Sequence, residues 1–344
     1  MKRFFFTAIA IAAVAVSCTK SGLLESPQTY ETPISFEPYT GKAPVTKATE
    51  ADDATLRTGF RVIGFTADGE GAITNATNPY LRKMVTGTLA EDETTTWAYK
   101  GDMFWPNDQL VFVAYGLNVN GTPVVNETAG ADYGDVTITS DDIFKKGTDY
   151  TEFIYKVPAA RSAQKDLIIS PVKVGERGKT VDMQLYHVLS RVGFSIDIQN
   201  EVDDENDRPV VQITDIELTG NFISGEATFD LKDAVEAGET ITYNVTGDPT
   251  LTTYDFFGIG ETFTTSAPGK QEIDVKNDDE RFMMIIPTGE EGAGAAAQVK
   301  VTYSIGGKDQ EPAVLSLPDF KFLAGKAYEF VFTLSTVEVG FGST

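Results

Sequence analysis

Val299-Lys300-Val301-Thr302-Tyr303-Ser304-Ile305 sets an apolar residue at every second position with a polar one between. Successive side chains of an extended strand point to opposite faces, so this stretch offers one face to a core and the other to solvent. A helix would need its apolar positions to recur with a period of about 3.6 residues. Reading outward, the same alternation returns in Val211, Ile213, Ile216 and Leu218, and with a local slip in Phe60, Val62 and Phe65. Leu110-Val111-Phe112-Val113-Ala114-Tyr115 is apolar throughout, as a strand covered on both faces is. Gly, Asp, Asn and Pro separate these runs, and no window of helical length keeps a helical period. The pattern predicts an all-β chain whose strands suit a sandwich.

A chain of 344 residues is long enough for two domains. The best linker lies between Ile169 and Val181, where Pro171, Gly175, Gly178 and several charges cluster, and it puts a boundary near Lys179, between domains 48–179 and 180–344. Beyond it Val181, Met183 and Leu185 share one parity while Val192, Phe194, Ile196 and Ile198 share the other, which calls for a bulge or bend near Ser190. The biased stretches Asp203–Asp207 and Gly292–Ala297 are expected to be mobile loops. At the C-terminus Tyr328, Phe330, Phe332 and Leu334 alternate, and Val337, Val339 and Phe341 resume with shifted parity, so two successive strand segments are expected.

The N-terminus has the layout of an export signal. Lys2 and Arg3 precede an apolar run from Phe4 to Val16 that is too short to span a membrane as a helix. Ala15-Val16-Ser17 then leads into Cys18, the only cysteine, an arrangement that resembles the lipobox of bacterial lipoproteins. The expected mature chain loses residues 1–17 to a lipoprotein signal peptidase and is held at the outer membrane by lipid on Cys18, each buried methylene contributing about 0.8 kcal/mol. Residues 18–47 read as an extended arm rich in Pro, Thr and Glu, with one short apolar alternation at Ile34 and Phe36 before Pro38 interrupts it. Within Pro44-Val45-Thr46-Lys47-Ala48 a basic residue in a flexible, Pro-flanked arm makes an accessible protease site, with cleavage expected between Lys47 and Ala48 and with Lys42 and Arg57 as alternatives.

Charge and composition narrow the chemistry. Lys and Arg number 28 against 51 Asp and Glu, a formal charge of −23 that would repel nucleic acid. One Cys and one His allow neither a disulfide framework nor a structural zinc site. His187 is the sole imidazole; it continues the apolar parity of Val181, Met183 and Leu185 and has no nucleophile motif beside it, so a core or interface role is expected and no catalytic residue is assigned. Asp203, Glu205 and Asp207 alternate like calcium ligands, yet Arg208 and Thr214 stand where the loop needs Gly and Glu, and no metal site is assigned. The glycine pairs Gly258/Gly260 and Gly306/Gly307 lack a strand-to-helix context, so no cofactor is expected. Trp97, Tyr99, Trp105 and Tyr115 could stack on sugar or fill a core.

Several segments together resemble the fimbrillin family, the subunits of type V pili. They are Phe104-Trp105-Pro106 with the strand ending in Ala114-Tyr115, Gln164-Lys165-Asp166-Leu167-Ile168, Leu185-Tyr186-His187-Val188-Leu189-Ser190-Arg191-Val192, and Leu323-Ala324-Gly325-Lys326-Ala327-Tyr328-Glu329-Phe330. The resemblance implies two tandem transthyretin-like β-sandwiches, export as a lipoprotein, trimming of the arm by a trypsin-like protease, and head-to-tail polymerisation with other fimbrial subunits by strand exchange. In that scheme Ile34 and Phe36 belong to a blocking strand, and Val337, Val339 and Phe341 to a donor strand that pairs into the vacated groove of a neighbour. The alternative on the same fold is a non-polymerising lipid-anchored adhesin or glycan-binding protein.

Overall fold

The run Leu110–Tyr115 lies in the strand Gln109–Val119 and is buried on both faces, as its unbroken apolar sequence requires. Around it forms the first sheet, in the order Phe36–Thr40, Val181–His187, Asp166–Ile169, Gln109–Val119, Phe60–Ala67, Leu81–Leu89, Thr95–Ala98. All of these neighbours are antiparallel except the first pair, in which Phe36–Thr40 runs parallel to Val181–His187. The computed structural model describes residues 32–40, 56–57, 59–119, 122–123, 144–146, 149–157, 161, 164, 166–199, 208–223, 226–237, 240–274, 282–335 and 339–343. Residues 1–31, which include the expected export signal and Cys18, and Lys42, Lys47, Ala48, Val337 and the acidic stretch 203–207 lie outside the described residues. Thr32–Thr344 forms one compact unit. The chain is all-β.

One face of the first sheet packs on a sheet made of Phe144–Lys146, Glu152–Lys156, Glu226–Ala237 and Thr240–Thr246. Tyr115 meets Phe153 at 5.6 Å, and Phe153 stacks on Phe229 at 4.9 Å. Two further sheets pack on each other. One, called the second sheet below, centres on Ser190–Gln199, with Ala327–Ser335 parallel to it and Val339–Ser343 antiparallel beyond. The other centres on Val211–Ile223 and Gln298–Ile305, the latter holding the Val299–Ile305 alternation. Phe194 against Phe256 at 4.9 Å and Tyr303 against Phe332 at 5.0 Å join the two faces. These interfaces share one continuous apolar core, from Ile63 to Leu334.

Pairing crosses the Lys179 position in both directions. Val181–His187, after it, belongs to the first sheet, while Glu152–Lys156, before it, pairs with Glu226–Ala237. The segment read as a linker is itself part of the first sheet: Lys173–Val174 pairs with Phe112 and Val111, and a Cβ on Gly175 would come within 2.5 Å of both Trp105 and Phe112. The parity change near Ser190 is a change of sheet, since the chain leaves the first sheet after His187 and enters the second at Ser190. The glycine- and alanine-rich stretch Gly292–Ala297 is a loop between strands, as expected, and part of it packs into the core. Ala293 and Ala297 are buried, and Ala293 N–H donates to the Phe320 carbonyl while its own carbonyl accepts from Asn221 N–H. Small residues serve close approach there, because Gly294 has φ 80° and a Cβ on it would sit 2.5 Å from Nδ2 of the Asn221 side chain.

Candidate functional site

The second face of the first sheet holds a separate apolar cluster formed by Phe60, Val62, Leu81, Val85, Trp105, Leu110, Phe112, Ala114, Ile168, Val181, Met183 and Leu185, with Leu56 beside them. The arm closes this cluster. Ile34 is 3% exposed and Phe36 4%, and Pro38 is buried after them. Phe36 meets Phe112 edge-on at 5.4 Å and Tyr99 at 5.8 Å, while Trp105 stands edge-on to Phe112 at 5.8 Å. The alternation at Ile34, Phe36 and Pro38 therefore fills a slot lined by aromatic rings and by the apolar face of Val181–His187.

Two walls hold the arm by its backbone. On one side Phe36 to Thr40 pair with Val181 to Leu185, and just ahead of that ladder Val181 N–H donates to the Ser35 carbonyl at 2.9 Å. The Ser35 and Thr180 hydroxyls add a bond of 2.9 Å. On the other side Ile34 N–H donates to the Met103 carbonyl and Trp105 N–H donates to the Thr32 carbonyl, both at 2.9 Å. The Tyr99 hydroxyl donates to the Ile34 carbonyl at 2.6 Å, and burial pushes that phenol above its ordinary pKa, which keeps it a donor. Ile34 and Phe36 were legible as an apolar alternation and Tyr99 as one of four aromatics with a stacking or core role, but Met103 and Thr180 carried no sequence signal, because their part is set by where the chain folds back.

The remaining candidates fall in different places. Val339 and Phe341 lie in the strand Val339–Ser343, paired antiparallel with Phe330–Leu334 at the rim of the second sheet. Leu56, one residue before the alternative cleavage position Arg57, is 1% exposed in the cluster beneath the arm. Trp105 and Tyr115 are core residues, and Trp97 packs edge-on against Phe60, so these rings do not form an open stacking platform. Among the described residues no three His, Cys, Asp or Glu side chains gather as a metal site.

His187 sits where three of the four segments that carried the resemblance meet. Its Nδ1 lies 2.7 Å from Asp166 Oδ2, with the two side chains 11% and 1% exposed. Burial opposes the charged ring, yet the Asp166 carboxylate and the hydrogen bond to it raise the pKa on balance. Around this pair Val188 N–H donates to the Leu167 carbonyl, Gly325 N–H to the Leu189 carbonyl, Arg191 N–H to the Lys326 carbonyl, and Ser190 Oγ to the Leu323 carbonyl. The turn at Gly325 is set by close approach, since a Cβ there would lie 2.8 Å from the His187 carbonyl oxygen. The Asp-Leu, His-x-Leu-Ser and Gly-Lys-x-Tyr segments thus form one joint between the first and second sheets.

A family model described as fimbrillin-like matches residues 46–344, most of the chain. The chain belongs to the fimbrillin-like family. Among solved structures, a fimbrial protein from Bacteroides vulgatus superposes with a TM-score of 0.53 at 13% identity, over 91% of this chain and 98% of that one. A candidate cell adhesion protein from Bacteroides uniformis gives 0.49 at 16% identity, over 91% and 98%, and a fimbrial assembly protein from Parabacteroides distasonis gives 0.41 at 13%, over 90% and 95%. No curated protein sequence matches. The fimbrillin-like match begins just ahead of Ala48, so the arm that fills the slot precedes the matched part.

Proposed function

We propose that this fimbrillin-like chain is a structural subunit of a cell-surface fimbria, stored with its assembly slot filled by its own N-terminal arm. The observation that carries the reading is the seating of Ile34 and Phe36 in the cluster on the first sheet, with Phe36–Thr40 at the sheet edge in parallel register with Val181–Leu185. A removable strand at an edge leaves an apolar groove with unpaired backbone groups, which recognises another extended strand by main-chain bonds and alternate side chains. In this scheme export leaves a lipid on Cys18 at the outer membrane, a trypsin-like protease cuts between Lys47 and Ala48, and the arm departs. Arg57 suits the cut less well, because losing Leu56 would take a core residue with the arm. Val337, Val339 and Phe341 of a neighbouring subunit then pair into the slot, a head-to-tail contact that repeats as an open fibre. The function is structural and calls for no catalysis or cofactor.

Treating full-length protein and a form lacking Val337–Thr344 with a trypsin-like protease tests the scheme. The full-length protein is expected to give fibres in the electron microscope whose subunits begin at Ala48, and the shortened one a trimmed, folded monomer. Fibres from the shortened form, or fibre subunits that still carry residues 32–40, would overturn it.

A further inference from the structure

The ladder between the arm and Val181–His187 fixes which backbone groups of the arm face that strand. Val181 N–H donates to the Ser35 carbonyl. In a parallel ladder every second residue bonds a given neighbour, so Ser35, Glu37 and Tyr39 turn their N–H and C=O groups toward Val181–Leu185. Ile34, Phe36, Pro38 and Thr40 turn theirs the other way, and Ile34 N–H does reach the Met103 carbonyl on that side. Past Met103 the outward groups belong to the rim of the sheet, where Phe36–Thr40 pairs on one side only among the described strands. Pro38 stands in the middle of that rim.

An open strand edge is a template for another chain, and proteins blunt such edges with proline, among other devices. Pro38 has no N–H to give, and its ring occupies the place from which a partner carbonyl would accept one. Phe36 and Thr40 keep the outward donors on either side, so the loss falls on the central bond of the three. We infer that Pro38 is an edge guard: while the arm is docked, it prevents a second copy of this chain from adding a strand along the arm, and so keeps the untrimmed subunit single. This rests on the arm reading above, and it adds that the arm must not itself become a polymerising edge.

The test uses residues 19–344 without the leader and without protease, as wild type, Pro38→Val, Pro38→Ala, and Pro38→Val lacking Val337–Thr344, with mass followed by light scattering over a concentration series. Exchange of the Val181 amide, read in each, verifies that the arm is docked. Wild type is expected at the mass of one subunit, and all three variants at two or more. A wild type that associates with its arm docked overturns the arm reading itself. Pro38→Val or Pro38→Ala remaining at one subunit overturns the edge guard and leaves the arm reading standing. Association that disappears on deleting Val337–Thr344, or that comes with an undocked arm, reports a slot opened by a loosened arm and also overturns the guard.

Discussion

Replacing Phe36 by Ala tests whether the arm is an independently removable element or an inseparable piece of the core. The ring is 4% exposed and touches Phe112 and Tyr99. Truncating a buried Phe to Ala costs about 3–5 kcal/mol, and a site at a sheet edge can relax, so the lower end applies. About 3 kcal/mol corresponds to a fall of roughly 100-fold in the ratio of docked to undocked arm. The strand Phe36–Thr40 has one ladder partner and residues 32–34 add two backbone bonds to Met103 and Trp105, so the arm is expected to leave without unfolding the rest. Hydrogen exchange reads this directly, because Val181 N–H is bonded to the Ser35 carbonyl, whereas Phe256 N–H is bonded to the Ile216 carbonyl far from the arm in the pairing order. Phe36→Ala is expected to speed exchange at Val181 by about 100-fold and to leave Phe256 unchanged, as local opening requires. If both amides accelerate together, the arm opens only when the whole unit does, and the reasoning for a removable strand fails.

Two further outcomes follow from particular sites. Gly292, at φ 72° with a prospective Cβ 2.5 Å from the Asp319 carbonyl oxygen, and Gly260, at φ 80° with nothing within 4 Å, separate steric contact from backbone strain; Gly260→Ala should cost about 1 kcal/mol and Gly292→Ala clearly more, by urea denaturation. The raised pKa of His187 means that its charge contributes stability in full below the unfolded value of about 6.5, and that this is lost as pH rises through the higher folded value. Denaturation over a pH series should show that loss in wild type and not in His187→Gln, and identical slopes in the two would refute the pairing with Asp166.

The strands were legible because burial has a period. The Val299–Ile305 alternation, the doubly buried Leu110–Tyr115 run and the bend near Ser190 each follow from which face a side chain must take. Partner choice was not legible. Nothing in Glu152–Lys156 names Glu226–Ala237 as its neighbour, and a period states the face of a strand without stating what lies beside it. The stretch 173–179 looked like a linker for the same reason that Gly292–Ala297 looked mobile: small residues mark flexibility and close approach alike, and only the neighbouring Trp105, Phe112 and Asn221 tell the two apart. Of the slot, the filling strand was readable from Ile34 and Phe36, while the wall built from Tyr99, Met103 and Trp105 appears only once the chain has folded back on itself.

Both described ends of the chain lie at sheet edges. Phe36–Thr40 borders the first sheet and Val339–Ser343 borders the second, each with one ladder partner. An interior strand cannot be removed without opening two ladders and cutting the chain twice, whereas an end strand at an edge needs one ladder opened and at most one cut. The arm's burial is concentrated in Ile34, Phe36 and Pro38, whose replacement needs only another alternating strand of apolar residues. The C-terminal hairpin offers little competition, because Val339-Gly340-Phe341-Gly342-Ser343 carries two glycines that weaken a strand held by one neighbour. In the proposed scheme a weak hairpin at one end and a well-filled slot at the other would give the exchange its direction: a cut that released the arm would expose apolar surface whose reburial, at about 25 cal/mol per Å², would favour the move of a neighbour's terminal strand from its own rim into the slot.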